Sequence, residues 1–114
     1  MEETFGRKLR ALRRSIGITQ RELANRVGVD FSYISKLEND RLSPPAADTV
    51  LKICEALDAT PDELLAATGK IPIQIQQSVG SSPAAIRFLR SAQAMELSDT
   101  EWAQLGEQLK RLRE

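Results

Sequence analysis

The stretch "TQRELANRVGVDFSYISKLEND" (residues 19–40) reads as two short amphipathic helices joined by a turn at Gly28. Ala24 lies four residues before this glycine, and Ile34 lies six residues after it. The small side chain of Ala24 lets two helices approach closely, and Gly28 allows the left-handed backbone of a tight turn because it has no Cβ to clash. Ile34 is placed to bury the second helix against a core. These are the requirements of a helix-turn-helix.

The second of these helices has one face of short polar side chains. On a helical wheel Tyr33, Ile34 and Leu37 fall on the inward arc, and Phe31 lies at its boundary. The opposite arc carries four polar residues at i, i+3, i+4 and i+7, namely Ser32, Ser35, Lys36 and Asn39. Lysine can donate to guanine O6 and N7 in a major groove, serine and asparagine can meet several bases, and an aromatic ring can touch a thymine methyl group. The alternative is a merely solvated face, because serine and asparagine also occur on exposed surfaces.

Apolar spacing predicts helices on both sides of this motif. Phe5, Leu9, Leu12 and Ile16 follow i, i+4, i+7 and i+11, which is one stripe of a helix that Gly17 would end. Five helices are predicted in this part of the chain, near residues 3–15, 20–27, 31–39, 46–57 and 61–67. No strand alternation appears among them, so the predicted fold class is all-α, with a five-helix domain followed by a helical extension.

Helix-start signals support these boundaries. The capping-box pattern, Ser or Thr with Glu three residues later, occurs at Thr19–Glu22, Thr60–Glu63 and Ser98–Glu101. In the second of these, Pro61 would fill the first helical position, where its missing N–H costs nothing. The sequence "RLSPP" (residues 41–45) is predicted to be the loop between the third and fourth helices, since two prolines cannot continue a helix.

The segment "GKIPIQIQQSVGSSP" (residues 69–83) has two interpretations. Three isoleucines alternate with other residues, as in a strand, whereas Pro72 also suits the first turn of a short helix. A short helix near 72–79 is the favoured prediction. Two further helices are predicted, over about 84–95 and from Asp99 to about Arg113.

Composition narrows the classes of function. The chain has 114 residues, one cysteine and no histidine, so it cannot form an internal disulfide, a zinc finger or a His-based triad. Cys54 shares a helical side with Val50 and Leu57 and is predicted to be a small core residue. No nucleophile–base pair or metal cluster is present, so no catalytic residue, metal site or cofactor is predicted, and the chain is not expected to be an enzyme.

Charge and hydropathy add two expectations. The net charge is zero, but residues 1–41 hold nine Lys and Arg against six Asp and Glu, whereas residues 42–114 hold seven against ten. A basic front part suggests that this part meets a polyanion, although a modest excess can also arise by chance. No apolar run approaches the roughly 18–20 residues of a membrane span, and the N-terminus lacks the apolar core of a signal peptide. A cytoplasmic location without membrane contact is therefore expected.

Two segments carry a resemblance to a known family. "LRALRRSIGITQRELANRVGVDFSYISKLEND", followed by "TVLKICEALDATPDELL", resembles the Cro and phage-repressor-like helix-turn-helix regulators, the xenobiotic response element (XRE) group of prokaryotic proteins. The resemblance covers roughly residues 4–67 and includes "TQRELA", the hinge glycine and "YISKLEN". It implies a lambda-repressor-like DNA-binding domain.

The resemblance implies roles for individual residues. Gln20 corresponds to a glutamine that contacts a phosphate and braces the recognition helix. The positions that usually face bases are Phe31, Ser32, Ser35 and Lys36. The positions that usually contact the DNA backbone are Tyr33, Asn39 and Arg41. Arg13 and Glu38 correspond to a pair that ties the first helix to the recognition helix, and both residues flank apolar stripes in this sequence, whereas a solvated Arg13 is the alternative.

Other arginines and two departures from the family pattern complete the site. Arg7, Arg10 and Arg14 share another face of the first helix; Arg10 and Arg14 are expected to meet phosphates, and a solubilising surface is the alternative. Asp40 stands where glycine is common, so the backbone there is expected to be left-handed or rerouted. Phe31 is unusual at a base-reading position, and packing inward is its alternative.

One recognition helix reads few base pairs, so two copies are expected to read two half-sites roughly 34 Å apart. The candidate dimerisation element is the final helical region, where an apolar seam at spacings of three, four and three comprises Trp102, Leu105, Leu109 and Leu112. The alternative is that the seam packs on the chain's own first domain. The expected organisation is a DNA-binding domain over 1–69, a linker over 70–83 and a dimerisation or interaction element over 84–114.

The leading functional prediction is a sequence-specific transcriptional regulator, most simply a repressor that binds a palindromic operator in double-stranded DNA as a homodimer. Within the family, the alternatives are an antitoxin that represses its own operon while its rear helices hold a toxin, and a restriction–modification control protein. From another class, the alternative is a protein-interaction module that does not bind DNA. The polar face around Lys36 argues against that last alternative.

Overall fold

The computed structural model describes residues 3–114, and these residues form α-helices and no strand. The eight helices are α1 (Phe5–Ser15), α2 (Gln20–Val27), α3 (Phe31–Glu38), α4 (Ala47–Ala56), α5 (Asp62–Thr68), α6 (Ile73–Gly80), α7 (Pro83–Met95) and α8 (Asp99–Arg111). The predicted all-α class is confirmed, and the five helices expected in the first part of the chain all form. The chain divides into two compact units, one ending at Ile73 and the other spanning Gln74–Glu114.

The first unit is built around one apolar core supplied by all five of its helices. The side chains that are at most 1% exposed include Leu9, Leu23, Ile34, Ile53 and Leu64, one from each helix in turn. Burying a side chain of this size contributes about 1.5–3 kcal/mol relative to leaving it exposed. The core therefore holds α3 in place through its inner face and leaves the outer face of this helix to solvent.

Helix starts follow the sequence at two of the three predicted capping boxes. At Thr19 and at Ser98, the hydroxyl accepts a hydrogen bond from the backbone N–H three residues on, and the glutamate there accepts one from the cap residue's own N–H. The predicted box at Thr60 is wrong. Helix α5 begins at Asp62 with Pro61 as its cap, and a proline side chain has no oxygen to accept a hydrogen bond.

Ile16 does not continue the apolar stripe of α1 as predicted. The helix ends at Ser15, Ile16 caps it, and Gly17 takes a left-handed φ of 75°. The side chain of Ile16 is therefore turned out of the stripe and is 44% exposed, whereas Ile18 is 9% exposed and joins the core. Cys54 lies in the core as predicted, and burial raises the pKa of its thiol.

In the α3–α4 connection, Asp40 stands at a position where the family that the sequence resembles commonly has glycine. Asp40 has a φ of 55°, which is the left-handed conformation, and its carboxylate accepts hydrogen bonds from the Thr4 hydroxyl at 2.6 Å and the Gly6 N–H at 3.0 Å. The segment that follows α3 thus caps the start of α1. A Cβ on Gly6 would overlap the carbonyl oxygens of Leu37 and Glu38, so this position needs glycine for close approach.

The second unit contains α6, α7 and α8. Residues 73–80 are helical, so the predicted short helix is confirmed and the strand alternative is wrong. Ala92 is the one residue of this unit that is buried, whereas Phe88, Met95 and Leu109 are 52%, 69% and 68% exposed. A 41-residue unit with so small an interior has little apolar burial of its own to stabilise it.

Candidate nucleic-acid interface

The turn between α2 and α3 forms as the sequence predicts. Gly28 has a φ of 85°, its N–H donates to the Ala24 carbonyl at 2.8 Å, and the N–H of Val29 donates to the same oxygen at 3.0 Å. The side chain of Ala24 is only 1% exposed, which leaves room for α3 to cross close to α2. The direction of α3 is therefore fixed by hydrogen bonds and packing within the first unit.

Helix α3 presents its polar face to solvent. Ser32, Lys36 and Asn39 are exposed, and Ser35 is half-buried. On the inner side Ile34 and Leu37 are at most 1% exposed. Tyr33, expected to face inward, is half-buried and packs against the edge of the core. Three of the four residues predicted to read bases thus lie together with Asn39 on one accessible surface, which we call the α3 polar face (Ser32, Ser35, Lys36 and Asn39).

Phe31, the first residue of α3, does not pack inward. Its side chain is 39% exposed, and the guanidinium carbon of Arg21 lies 4.5 Å from the centroid of its ring. A guanidinium at this distance from an aromatic face is in the range of a cation–π contact. The first turns of α2 and α3 therefore meet at the surface through these two side chains.

A buried ion pair joins α1 to α3. Arg13 donates to both carboxylate oxygens of Glu38, with Nε–Oε2 at 2.6 Å and Nη2–Oε1 at 2.8 Å, and also to the carbonyl of Ile18 at 2.9 Å. Burial alone would raise the pKa of Glu38. The hydrogen bonds from Arg13, Gln20 and Arg10, together with the positive charge of Arg13, outweigh burial, and the pKa lies below its ordinary value. Glu38 is therefore held as a carboxylate at the end of the recognition helix.

Two more residues of the predicted site are tied into this cluster. Gln20 donates through Nε2 to Glu38 Oε1 at 3.0 Å, so its side chain links α2 to α3. Arg10 donates through Nη2 to Asn39 Oδ1 at 2.8 Å, and its Nε lies 3.5 Å from Glu38 Oε1. The bracing of the recognition helix that we expected of Gln20 is thus visible, and Arg10 braces it as well. Their contacts with DNA phosphates stay a prediction.

The remaining predicted cations are at the surface. Arg14 and Arg41 are exposed, and neither side chain makes an ion pair or hydrogen bond with another residue in the part of the chain that the structure describes. The backbone N–H of Arg41 donates to the Lys36 carbonyl at 2.9 Å, which places Arg41 directly beyond the end of α3. Both guanidinium groups are available to an anionic partner.

Three further residues shape this surface through contacts that were missed in the sequence. Arg21 covers Phe31, Asp40 caps α1, and Lys70 donates through Nζ to the carbonyls of Pro44 and Pro45 at 3.0 and 3.2 Å, which fixes the loop after α3. The family pattern marked Asp40 as a departure, but nothing in the spacing indicated its partners. For Arg21, the sequence did offer a signal: it follows Gln20 directly, which places it in the first turn of α2 beside a residue already assigned to the site.

Among residues 3–114 no group of three or more His, Cys, Asp or Glu side chains is arranged to hold a metal ion. No helix in the same range combines the length and apolarity needed to cross a bilayer.

The predicted seam of the second unit is largely exposed, since Trp102, Leu109 and Leu112 are 41%, 68% and 74% exposed and Leu105 is half-buried.

Solved structures of regulatory proteins resemble just over half of this chain. The restriction–modification controller protein C.AhdI from Aeromonas hydrophila is 38% identical, with a TM-score of 0.50, and the match covers 53% of this chain and 89% of that one. SinR, described as a master regulator for biofilm formation and solved in complex with DNA, is 29% identical, with a TM-score of 0.52, over 54% of this chain and 98% of that one.

Sequence comparison reaches further along the chain. The HTH-type transcriptional repressor RghR of Bacillus subtilis (strain 168) is 31% identical over 97 residues, which are 85% of this chain and 71% of RghR. The family model described as helix-turn-helix matches residues 9–64, which span α2, the turn and α3. The chain belongs to the helix-turn-helix family of DNA-binding transcriptional regulators.

Proposed function

We propose that this regulator is a repressor that binds a palindromic operator as a homodimer, with α3 in the major groove of each half-site. The observation that carries the proposal is the α3 polar face, which is accessible while the opposite side of the same helix is buried in the core. A major groove admits an α-helix, and short polar side chains around one lysine suit the donors and acceptors of base edges. Occlusion of a promoter is the simplest consequence of such binding.

Individual residues are assigned roles on this basis. Ser32, Ser35 and Lys36 read bases, with Lys36 donating to guanine. The residues that contact the DNA backbone are Gln20, Tyr33, Asn39, Arg41, Arg10 and Arg14. Phosphate contacts fix the register of a protein on DNA, whereas base contacts give it sequence preference. Loss of Arg41 should therefore weaken binding to all sequences alike.

Dimerisation is proposed to use the seam of α8. Two recognition helices must be related by a two-fold axis to read two half-sites, and the second unit exposes large apolar side chains that one copy leaves uncovered. Association of two such helices would bury Leu109 and Leu112, which are among the most exposed apolar residues of the described chain. Burial of this surface is the driving force that the proposal requires.

The oligomeric state tests this part of the proposal. Leu109→Glu would place a charge in the seam. Ala103→Glu would place the same charge outside the seam, since position 103 lies about 120° from position 109 around α8. Sedimentation of the full chain should show a dimer for the wild type and Ala103→Glu and a monomer for Leu109→Glu. A dimer that survives Leu109→Glu unchanged would place the interface elsewhere.

A second candidate function is supported by the comparison with C.AhdI. C.AhdI is described as a restriction–modification controller protein, and the identity of 38% over 53% of this chain makes control of a restriction–modification system a specific alternative. A methyltransferase and an endonuclease gene beside the gene for this protein would favour it. A toxin gene in that place would favour the antitoxin alternative, with the second unit as the protein-binding surface.

A mobility-shift assay on DNA from upstream of the protein's own gene tests DNA binding itself. The proposal expects a shifted complex that an excess of unrelated duplex does not abolish and that weakens steeply as salt rises, because cationic side chains displace counterions from phosphates. A genome-wide binding footprint would then supply the operator, its half-site spacing and the regulated genes. Absence of any enriched site would favour a protein-interaction module.

A further inference from the structure

The contact between Arg21 and Phe31 is created by the helix-turn-helix geometry itself. The two residues are ten positions apart in sequence, yet the turn at Gly28 brings the first turn of α2 beside the first residue of α3. The guanidinium carbon lies 4.5 Å from the ring centroid, and both side chains are exposed. In the described range 3–114, the side chain of Arg21 makes no hydrogen bond or ion pair.

The chemistry of this contact leaves the arginine's donors available. A guanidinium meets an aromatic ring through electrostatic attraction to the ring face, so its N–H groups are not consumed as they would be in a salt bridge. The long side chain of Arg21 would otherwise sample many rotamers in solvent. The ring of Phe31 therefore favours one position of a cation whose five N–H donors remain open to a ligand.

We propose that Arg21 and Phe31 act as one reading pair, in which Phe31 positions Arg21 and Arg21 donates to O6 and N7 of a guanine in each operator half-site. This inference rests on the proposed binding of α3 in the major groove. It assigns a specificity residue outside α3, and it gives a role to the aromatic residue that occupies the first position of the recognition helix.

A base is favoured over a phosphate as the ligand of Arg21 because of where Phe31 lies. The first residues of a recognition helix are those that contact base edges, and Phe31 is followed directly by Ser32 of the α3 polar face. A cation held against this ring is therefore at the base-reading end of the helix. Guanine is favoured among the bases because its two adjacent acceptors match the planar fork of arginine.

Selection of bound duplexes from a pool of randomised double-stranded DNA tests the pair, with the full chain as wild type and as single variants. Arg21→Lys keeps the charge but loses the planar fork, and Phe31→Leu keeps an apolar group but loses the ring face. Phe31→Tyr retains the face. Arg26→Lys is the matched control, because Arg26 lies in the same helix and is exposed but donates to the Ala56 carbonyl at 3.4 Å instead.

The inference predicts a selective loss. Arg21→Lys should reduce the preference for guanine at one position of each half-site by roughly tenfold and leave the rest of the motif intact. Phe31→Leu should weaken the same position by about two- to fivefold, and Phe31→Tyr and Arg26→Lys should select the wild-type motif. The double variant Arg21→Lys with Phe31→Leu should lose no more at that position than Arg21→Lys alone.

Each other outcome overturns the inference. A variant Arg21→Lys that keeps every base preference, or weakens all sequences equally, makes Arg21 a phosphate contact. A loss in Phe31→Leu at a different position, such as a thymine, makes Phe31 an independent reader. If the wild type enriches no motif, the proposed function fails and the inference fails with it, whereas a wild-type motif that is insensitive to Arg21 refutes the inference alone. Thermal melting of each variant confirms that these exposed substitutions leave the fold intact.

Discussion

Glu38 connects the recognition helix to α1 and α2 through buried hydrogen bonds. The residue is 2% exposed, and its carboxylate accepts hydrogen bonds from Arg13 and Gln20. The Nε of Arg10 lies 3.5 Å from Oε1 of the same carboxylate. Isolated ionised carboxylates are very costly to bury, so the surrounding donors are what make the charge tolerable. Because these donors come from α1 and α2, one side chain ties three helices together behind the α3 polar face.

Removal of Arg13 should therefore be far more costly than removal of its neighbour. Arg13→Ala leaves Glu38 buried without its bidentate partner, and breaking a buried pair in this way costs about 3–5 kcal/mol. Arg14 is exposed, so Arg14→Ala should change the free energy of unfolding by less than about 0.5 kcal/mol. Urea unfolding of the two variants measures the difference. Equal small effects would show that the pair does not stabilise the first unit.

The same cluster gives the stability of the protein a pH dependence. The pKa of Glu38 is lowered from an ordinary value of 4.5, so the folded state binds this proton more weakly than the unfolded chain does. The resulting stabilisation is complete above pH 4.5 and is lost as the pH falls through the lowered folded pKa. An NMR titration of the Glu38 side-chain carboxyl should give a midpoint below 4.5. A midpoint at or above 4.5 would mean that burial outweighs the hydrogen bonds.

At the scale of elements, the end of α3 and the start of α1 stabilise each other. Asp40 accepts from the Thr4 hydroxyl and the Gly6 N–H, and Thr4 in turn accepts from the N–H of Arg7. An acceptor at a helix N-terminus satisfies N–H groups that have no partner within the helix. The first residue beyond the C-cap of the recognition helix is thus also part of the cap of α1.

A comparison of two aspartates separates the contribution of this cap to stability from that of backbone strain. Asp40 and Asp58 both have left-handed backbone, with φ of 55° and 51°, but only Asp40 caps a helix through its side chain. Replacing either by alanine adds the strain of a left-handed alanine, whereas Asp40→Ala also removes the cap. Asp40→Ala should therefore be more destabilising than Asp58→Ala by about 0.5–2 kcal/mol, measured by thermal unfolding. Equal losses of stability in the two variants would show that the cap contributes nothing measurable to the free energy of unfolding.

Much of this arrangement was predictable from local sequence, because its signals are local. Gly28 as a hinge, the caps at Thr19 and Ser98, and the helical spacing of apolar residues each depend on a few neighbouring positions. The missed features are contacts between distant segments, such as Asp40 with Gly6 and Lys70 with Pro44, which spacing along one helix does not encode. Ile16 was misplaced because the helix ended one residue before it.

At the scale of the whole molecule, the two units differ in how much apolar surface they bury. The first encloses a core from five helices, whereas the second has Ala92 as its one buried residue and leaves Phe88 and Leu109 more than half exposed. The excess of basic residues lies in 1–41, the part that contains α1, α2 and α3. This division is consistent with the proposal that the first unit meets DNA and that the second unit associates with another copy of the chain.

The central claim, that the α3 polar face reads the major groove, is tested most directly by methylation interference on the selected operator. Dimethyl sulfate methylates guanine N7 in that groove, so methylation of the guanine that meets Lys36 should block the wild-type protein. Lys36→Ala should bind the unmethylated operator about 5- to 150-fold more weakly and lose its sensitivity to that methyl group, since the contact is worth about 1–3 kcal/mol. Arg41→Ala should keep the wild-type interference pattern. A wild-type protein that binds the operator equally well whichever guanine N7 is methylated would contradict the account.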